Sequence, residues 1–99
     1  MTPQIRLDSE QIAGFCRKHR LRKLSLFGSV LREDFGPESD VDVLIEFEEG
    51  APMSLLRIAA MEIELTEMIG RQVDLRLPEE LSRYFRDEVL AEAVVQYAA

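Results

Sequence analysis

The chain has 99 residues, of which 46% are apolar and 31% charged, and its formal net charge is −7 from 19 acidic and 12 basic side chains. This length allows one small core, so we expect residues 1–99 to form a single domain. The acidic balance argues against a general nucleic-acid binder, which needs a dominant basic surface.

Helical and strand patterns alternate along the chain. The first half is predicted to contain a helix from Asp8 or Ser9 to about residues 18–20, a strand over 22–27, a short helical segment capped by Ser29 and ending near Glu33, and a turn over 35–39. A strand over 40–47 and a helix over 53–69 follow. The last part is predicted to contain a strand over 72–77, a helical stretch from Pro78 that continues over 88–93, and a short strand over 94–97. This order predicts an α+β domain in which a small mixed sheet of three to four strands packs with helices.

Gly28 and Ser29 follow the first predicted strand directly. Glycine permits a backbone path that is closed to other residues and lets a phosphate approach the main chain. Ser29 adds a hydroxyl and the first amides of a short helix, which attract anions. The pair is therefore a candidate phosphate-binding turn, although many ordinary turns have the same two residues.

Three aspartates are candidate metal ligands. Asp40 and Asp42 are two residues apart on one strand, so their side chains project from the same face about 6.6 Å apart along the chain. Two such charges are costly unless a cation lies between them, and Mg²⁺ favours a few carboxylates together with substrate phosphates. Asp74 has the same alternation and would lie beside them if its strand is a neighbour. A solvated acidic strand edge is the alternative interpretation.

The combination of Gly28-Ser29, ten intervening residues and Asp40-Val41-Asp42 resembles the signature of the nucleotidyltransferase superfamily with the DNA polymerase β-like fold. The spacing and the short chain are similar to those of the minimal nucleotidyltransferase (MNT) branch. Members of that branch are commonly antitoxins encoded beside toxins of the HEPN class, a helical ribonuclease domain. The resemblance thus implies a polymerase β-like fold and a HEPN-type toxin as partner.

The resemblance also implies a role for each motif residue. Gly28 and Ser29 would hold the triphosphate of ATP, and Asp40 and Asp42 would bind Mg²⁺ and the nucleotide. Asp74 would be the third catalytic and metal-binding carboxylate, either as a ligand of a second ion or as the acceptor of a proton from the attacking hydroxyl.

One position after this turn matches the family and two depart from it. Arg32 stands where many relatives have the arginine of Gly-Ser-x-Ala-Arg-Gly, so the resemblance assigns it to phosphate or to a partner. Leu31 replaces the alanine of that pattern, and Glu33 replaces the second glycine and adds a negative charge near the phosphate turn.

The main hypothesis is a Mg²⁺-dependent protein adenylyltransferase that transfers AMP from ATP to a tyrosine hydroxyl of a HEPN-type toxin and neutralises it. The alternative is a non-catalytic antitoxin that covers its toxin, suggested by the broad apolar arc of the helix over 53–69. A third hypothesis is a transferase that modifies nucleic acid or a small molecule with help from another subunit. No residue indicates which base is preferred, and a homodimer is left open beside the hetero-oligomer.

Two further features of the sequence bear on disulfide formation and on the location of the protein in the cell. Cys16 is the only cysteine, which rules out a disulfide within the chain and a multi-cysteine metal site. Nothing at the N-terminus resembles a signal peptide, and no apolar run approaches the ~20 residues that span a membrane. We therefore expect a cytoplasmic protein without a membrane partner.

Overall fold

The computed structural model describes residues 5–32, 35–36 and 38–99, so the predictions made for Glu33 and for Pro37 of the turn lie outside the described residues. The elements are α1 (Ser9–Lys18), β1 (Leu21–Phe27), a 3-10 helix (Gly28–Leu31), β2 (Val41–Phe47), α2 (Leu55–Ile69), β3 (Val73–Arg76), a second 3-10 helix (Pro78–Glu80), α3 (Arg86–Glu92) and β4 (Val94–Ala98).

The four strands form one mixed sheet in the order β3-β2-β1-β4. β1 pairs antiparallel with β2 and with β4, whereas β2 and β3 are parallel. A parallel pair needs a long crossover between its strands, and α2 supplies it. The predicted α+β architecture with a small mixed sheet is therefore confirmed, including the short final strand.

The core lies between the sheet and the helices α1 and α2. Its buried side chains come from alternate positions of the strands and from one face of each helix, and include Ile12, Phe15, Cys16, Leu24, Leu26, Val41, Val43, Ile45, Met61, Leu65, Val73 and Leu75. Because Val41 and Val43 on β2 and Val73 and Leu75 on β3 must be buried, Asp42 and Asp74 are directed to the opposite face of the sheet.

The caps of α1 and α2 lie where the sequence predicts them. One carboxylate oxygen of Asp8 accepts hydrogen bonds from the backbone amides of Glu10 and Gln11 at 2.9 and 3.1 Å, which caps α1. Gly70 ends α2 in the left-handed conformation, with φ 79°.

Two predicted helical segments differ from the structure. Ser29 does not cap the segment after β1: the 3-10 helix begins at Gly28, Ser29 lies inside it, and its hydroxyl donates a hydrogen bond to the backbone oxygen of Asp40 at 3.3 Å. Pro78 starts only one turn. The Glu80 carboxylate accepts a hydrogen bond from the Leu77 amide, and Leu81 is extended, so the next helix begins separately at Arg86.

Side chains of α2 cover the free edge of β3. The amide of Val73 donates to the hydroxyl of Thr66 at 3.1 Å, and the amide of Leu75 donates to the carboxylate of Glu62 at 2.9 Å. An edge strand otherwise leaves such amides without a partner in the sheet. These two bonds fix the strand that carries Asp74 against the helix.

Candidate active site

Strand pairing brings the two predicted halves of the site together. Asp42 on β2 is the register partner of Asp74 on the parallel strand β3 and of Phe27 on the antiparallel strand β1. Phe27 is followed at once by Gly28, so the turn after β1 lies beside the carboxylate. The prediction that the strand of Asp74 is a neighbour of the strand of Asp42 is therefore confirmed.

Gly28 is packed directly against Asp42. Its backbone has φ 73°, which is unfavourable for residues with a side chain. A Cβ atom built at this position would overlap Oδ2 of Asp42 and lie 3.2 Å from its Cγ. The backbone of Ser29 hydrogen-bonds the same carboxylate. The turn and the aspartate thus form one compact unit.

Asp42 is in an electrostatically unfavourable environment. Burial, the nearby charge of Asp74 and, to a smaller extent, that of Asp40 raise its pKa above the usual range, while the Ser29 hydrogen bond and the charge of Arg76 act in the opposite direction. Carboxylates that repel one another in a partly buried place attract a cation. The observed charge balance therefore fits a divalent metal ion.

The other predicted site residues are Asp40, Asp74 and Arg32. Asp40 is exposed and directly precedes β2. Asp74 is partly buried and accepts a hydrogen bond from Arg76 at 3.1 Å. Arg32 is exposed and lines a cavity that also contains Gly28. All of them are therefore at the same end of β1 and β2 or on the neighbouring strand.

The donor set suits Mg²⁺ by its chemistry. Across residues 5–32, 35–36 and 38–99, no three histidine, cysteine, aspartate or glutamate side chains form a ready-made metal site. Mg²⁺ is usually held by one or two carboxylates and takes its remaining oxygens from water and substrate phosphates. The assignment of Asp40, Asp42 and Asp74 as ligands stays a prediction.

Sequence reasoning missed the role of Arg76. Its guanidinium bridges Asp74 and Glu80, the latter at 3.6 Å, so Asp74 has a cationic partner that the sequence interpretation did not assign. The signal was available, because residues two apart on a strand share a face. It also missed Phe85, which is distant from the motif in the sequence and lines the same cavity as Gly28 only because of the fold.

Comparison with known proteins identifies the family. Residues 9–95 match the model of the nucleotidyltransferase domain. The chain belongs to this family. Its protein adenylyltransferase-like members include MntA of Thermococcus cleftensis, which is 38% identical over 75% of this chain and 73% of its own length. A protein of Methanocaldococcus jannaschii, whose name proposes protein adenylyltransferase activity, is 38% identical over 78% of this chain and 81% of its own length.

Solved structures agree with this membership. One that is described as a proposed minimal nucleotidyltransferase superposes with a TM-score of 0.71 and 34% identity, covering 87% of this chain and 86% of the other. A toxin–antitoxin structure with AMP-PNP superposes with a TM-score of 0.74 and 18% identity, covering 94% of this chain and 75% of the other. A complex of a tri-AMPylated Shewanella oneidensis HEPN toxin with an MNT antitoxin superposes with a TM-score of 0.65 and 17% identity, covering 92% of this chain and 70% of the other. The last two share the fold.

The comparisons confirm the resemblance stated from the motif and the classification of the chain as a nucleotidyltransferase. In the part of the chain that the structure describes, no helix has the length and apolar character needed to cross a membrane.

Proposed function

We propose that this nucleotidyltransferase is a Mg²⁺-dependent protein adenylyltransferase that transfers AMP from ATP to a tyrosine hydroxyl of a HEPN-type ribonuclease toxin and thereby neutralises it. The observation that carries the proposal is the packing of Gly28 against Asp42, with Asp74 in register on the next strand. This arrangement supports the proposal, because the turn that is proposed to bind phosphate lies directly beside Asp42 and Asp74.

Each residue has a defined task in the proposed reaction. The Gly28–Ser29 turn receives the triphosphate, because it lets phosphate oxygens approach backbone amides. Asp40 and Asp42 would hold Mg²⁺, which when bound neutralises charge on the phosphates. Asp74 would complete the carboxylate set as a further oxygen ligand or as the group that accepts the hydroxyl proton.

The bond changes balance without another reactant. The acceptor oxygen forms a bond to the α-phosphorus of ATP, the bond from that phosphorus to the β-phosphate oxygen breaks, and pyrophosphate leaves. The proton of the hydroxyl passes to a carboxylate. The chain contributes mainly by positioning and by electrostatic stabilisation, as is general for phosphoryl transfer.

Named relatives support a protein as the acceptor. The Thermococcus relative is named a protein adenylyltransferase, and the Shewanella complex contains a HEPN toxin in tri-AMPylated form. A structure of the same fold was solved with AMP-PNP, an analogue of ATP, which supports ATP as donor. These properties belong to those proteins. We propose them for this chain because it is 38% identical to the Thermococcus relative and shares the fold of the solved structures.

An exposed apolar surface beside the site offers a place for such an acceptor. The start of α2 exposes 86% of both Leu55 and Leu56 and 55% of Met53, which precedes the helix. A groove of about 640 Å³ runs along Leu55 and reaches Arg76, the partner of Asp74. Exposed apolar side chains of this size are typical of protein-contact surfaces. A partner docked in this groove would contact Arg76, which pairs with Asp74.

The proposal is tested with the cognate toxin, taken as the product of the neighbouring reading frame. Incubation with α-labelled ATP and Mg²⁺ is expected to label the toxin on tyrosine, and excess EDTA is expected to abolish the label. Asp42→Asn should remove the label, whereas Asp87→Asn, an exposed change on α3, should retain it. A toxin that stays unlabelled with the wild-type protein, or is labelled equally by Asp42→Asn, contradicts the proposal.

The second candidate function is neutralisation by binding alone, and the exposure of Leu55 and Leu56 favours it. Rescue of growth from the toxin distinguishes the two. Full rescue by the double variant Asp40→Ala/Asp42→Ala, together with lost rescue by Leu55→Ser/Leu56→Ser, indicates occlusion. Lost rescue by the aspartate variant with retained toxin binding indicates chemistry.

A further inference from the structure

A second cavity adjoins the turn that is proposed to bind phosphate. It has a volume of about 340 Å³ and lies between the end of β1 and α3, with Gly28 in its wall. Phe27, Phe85 and Val89 supply its apolar lining. The volume is within the ~300–1,000 Å³ range of small-ligand sites. A ligand in this cavity would lie next to Gly28, which also belongs to the turn that is proposed to bind phosphate.

The apolar lining includes two aromatic rings. Phe27 ends β1, and Phe85 directly precedes α3, so the fold brings them to one cavity from distant parts of the chain. Phe85 keeps 61% of its surface exposed, which is unusual for a phenylalanine in a small domain. Aromatic side chains placed in this way offer a stacking surface for a flat ring.

The polar lining of the cavity consists of two acidic residues and one basic residue. Glu88 and Glu92 are four residues apart on α3, so both lie on the face of the helix that lines the cavity. Ionised carboxylates only accept hydrogen bonds, so they match a ring that carries amino groups. Arg32 provides the positive charge and lies on the wall with Gly28, where it suits phosphate rather than a base.

We propose that this cavity binds the base of the donor nucleotide and selects a purine that carries an exocyclic amino group. The base stacks on Phe85, its amino group donates to Glu88 or Glu92, and its phosphates extend past Gly28 toward Asp42. This assignment rests on the proposed function for the presence of a nucleoside triphosphate at Gly28. It supplies the base selectivity that the motif residues themselves do not encode.

The stacking contact is tested by comparing two neighbouring aromatic residues in binding titrations. Phe85→Ala is expected to weaken ATP binding at least about fivefold, which is the lower end for loss of one base–aromatic stack. Tyr84→Ala is the matched control, because Tyr84 is 77% exposed, contacts Arg83 and does not line the cavity. Binding of inorganic tripolyphosphate, which has no base, should be equal in both variants and wild type.

The amino-group contact is tested with inosine triphosphate, a purine nucleotide without an exocyclic amine. Wild-type protein is expected to bind ATP more tightly than inosine triphosphate. Glu88→Ala/Glu92→Ala should remove this preference, while Asp87→Ala, a change on the same helix outside the cavity, should keep it.

The outcomes separate this inference from the proposed function. Equal ATP affinity in Phe85→Ala and Tyr84→Ala, or equal wild-type affinity for ATP and inosine triphosphate, overturns the base site even if the toxin is labelled. Failure to label the toxin while Phe85→Ala selectively loses ATP affinity overturns the proposed acceptor chemistry and leaves the base site standing. A wild-type protein that binds no ATP overturns both.

Discussion

Gly28 and Asp42 are packed so closely that position 28 has no room for a side chain. The backbone at Gly28 is left-handed, and an added Cβ would overlap the carboxylate of Asp42. The turn that is expected to hold phosphate and the aspartate that is expected to hold metal therefore depend on each other. A substitution that moves the backbone at Gly28 is therefore expected to displace the Asp42 carboxylate as well.

Gly28→Ala is accordingly expected to impair both folding and nucleotide binding. The left-handed backbone alone costs about 1–2 kcal/mol for a residue with a Cβ, and displacement of Asp42 adds to it. We expect a lower free energy of unfolding and loss of ATP binding in titrations.

The matched control for that substitution is Gly14→Ala. Gly14 lies inside α1, and a Cβ there meets no heavy atom within 4 Å. Alanine is a better helix former by about 1 kcal/mol, so this variant should be more stable and bind ATP normally. Unchanged ATP affinity in Gly28→Ala would contradict the packing argument.

The raised pKa of Asp42 predicts a pH-dependent effect of Asp42→Asn. Because burial and the neighbouring carboxylates raise the pKa in the folded state, the folded protein binds the proton more tightly than the unfolded chain. Ionised Asp42 therefore lowers the free energy of unfolding as the pH rises above the unfolded pKa of 3.8. Without metal, the asparagine variant should be more stable than wild type at neutral pH.

This advantage should shrink as the pH falls through the folded pKa toward 3.8, since wild-type Asp42 then becomes neutral as well. Denaturant unfolding at several pH values measures the difference. Mg²⁺ should stabilise wild type and not the variant, because a ligand that binds only the folded state raises its stability. A difference that stays constant with pH would show that charge is not the cause.

Arg76 is expected to compete with a metal ion for Asp74. Its guanidinium lies 3.1 Å from the Asp74 carboxylate, and its charge also acts on Asp42. Arg76→Gln should therefore tighten Mg²⁺ binding in calorimetry by up to about fivefold, since Arg76 is 47% exposed and such pairs contribute little. Arg83→Gln, which removes an exposed arginine that contacts Tyr84, should leave the Mg²⁺ affinity unchanged. Weaker binding in Arg76→Gln would indicate that Arg76 supports the site.

Glu62 is expected to matter for stability although glutamate is usually a surface residue. Its carboxylate accepts the amide of Leu75 on the edge of β3. Glu62→Ala leaves that amide without a partner and should cost about 1–3 kcal/mol in the free energy of unfolding. It should also speed hydrogen exchange at Leu75.

Glu67→Ala is the control on the same helix, because Glu67 is exposed and the substitution should change stability by less than about 0.5 kcal/mol. Equal stability of the two alanine variants would mean that a hydrogen bond from the Leu75 amide to water is as favourable as the one to the Glu62 carboxylate.

Local patterns predicted most of the architecture. The cap at Asp8, the alternation along residues 41–47 and the stop at Gly70 act within a few residues, so they can be recognised in the sequence. The two errors concern the cap predicted at Ser29 and the continuation of the helical turn that begins at Pro78. The Ser29 hydroxyl donates to the backbone oxygen of Asp40 instead of capping a helix, and the extended backbone of Leu81 ends the turn that begins at Pro78.

The sequence by itself determined the family and the face on which Asp42 and Asp74 project. The face follows because strand alternation directs polar residues away from the core. Only the tertiary structure decided the register that pairs the two aspartates, the overlap that reserves position 28 for glycine, and the partnership of Asp74 with Arg76. It also brought Phe85 to Gly28 from the far end of the chain. Such contacts join residues that are distant in sequence, and their geometry is set by how the sheet and helices pack together.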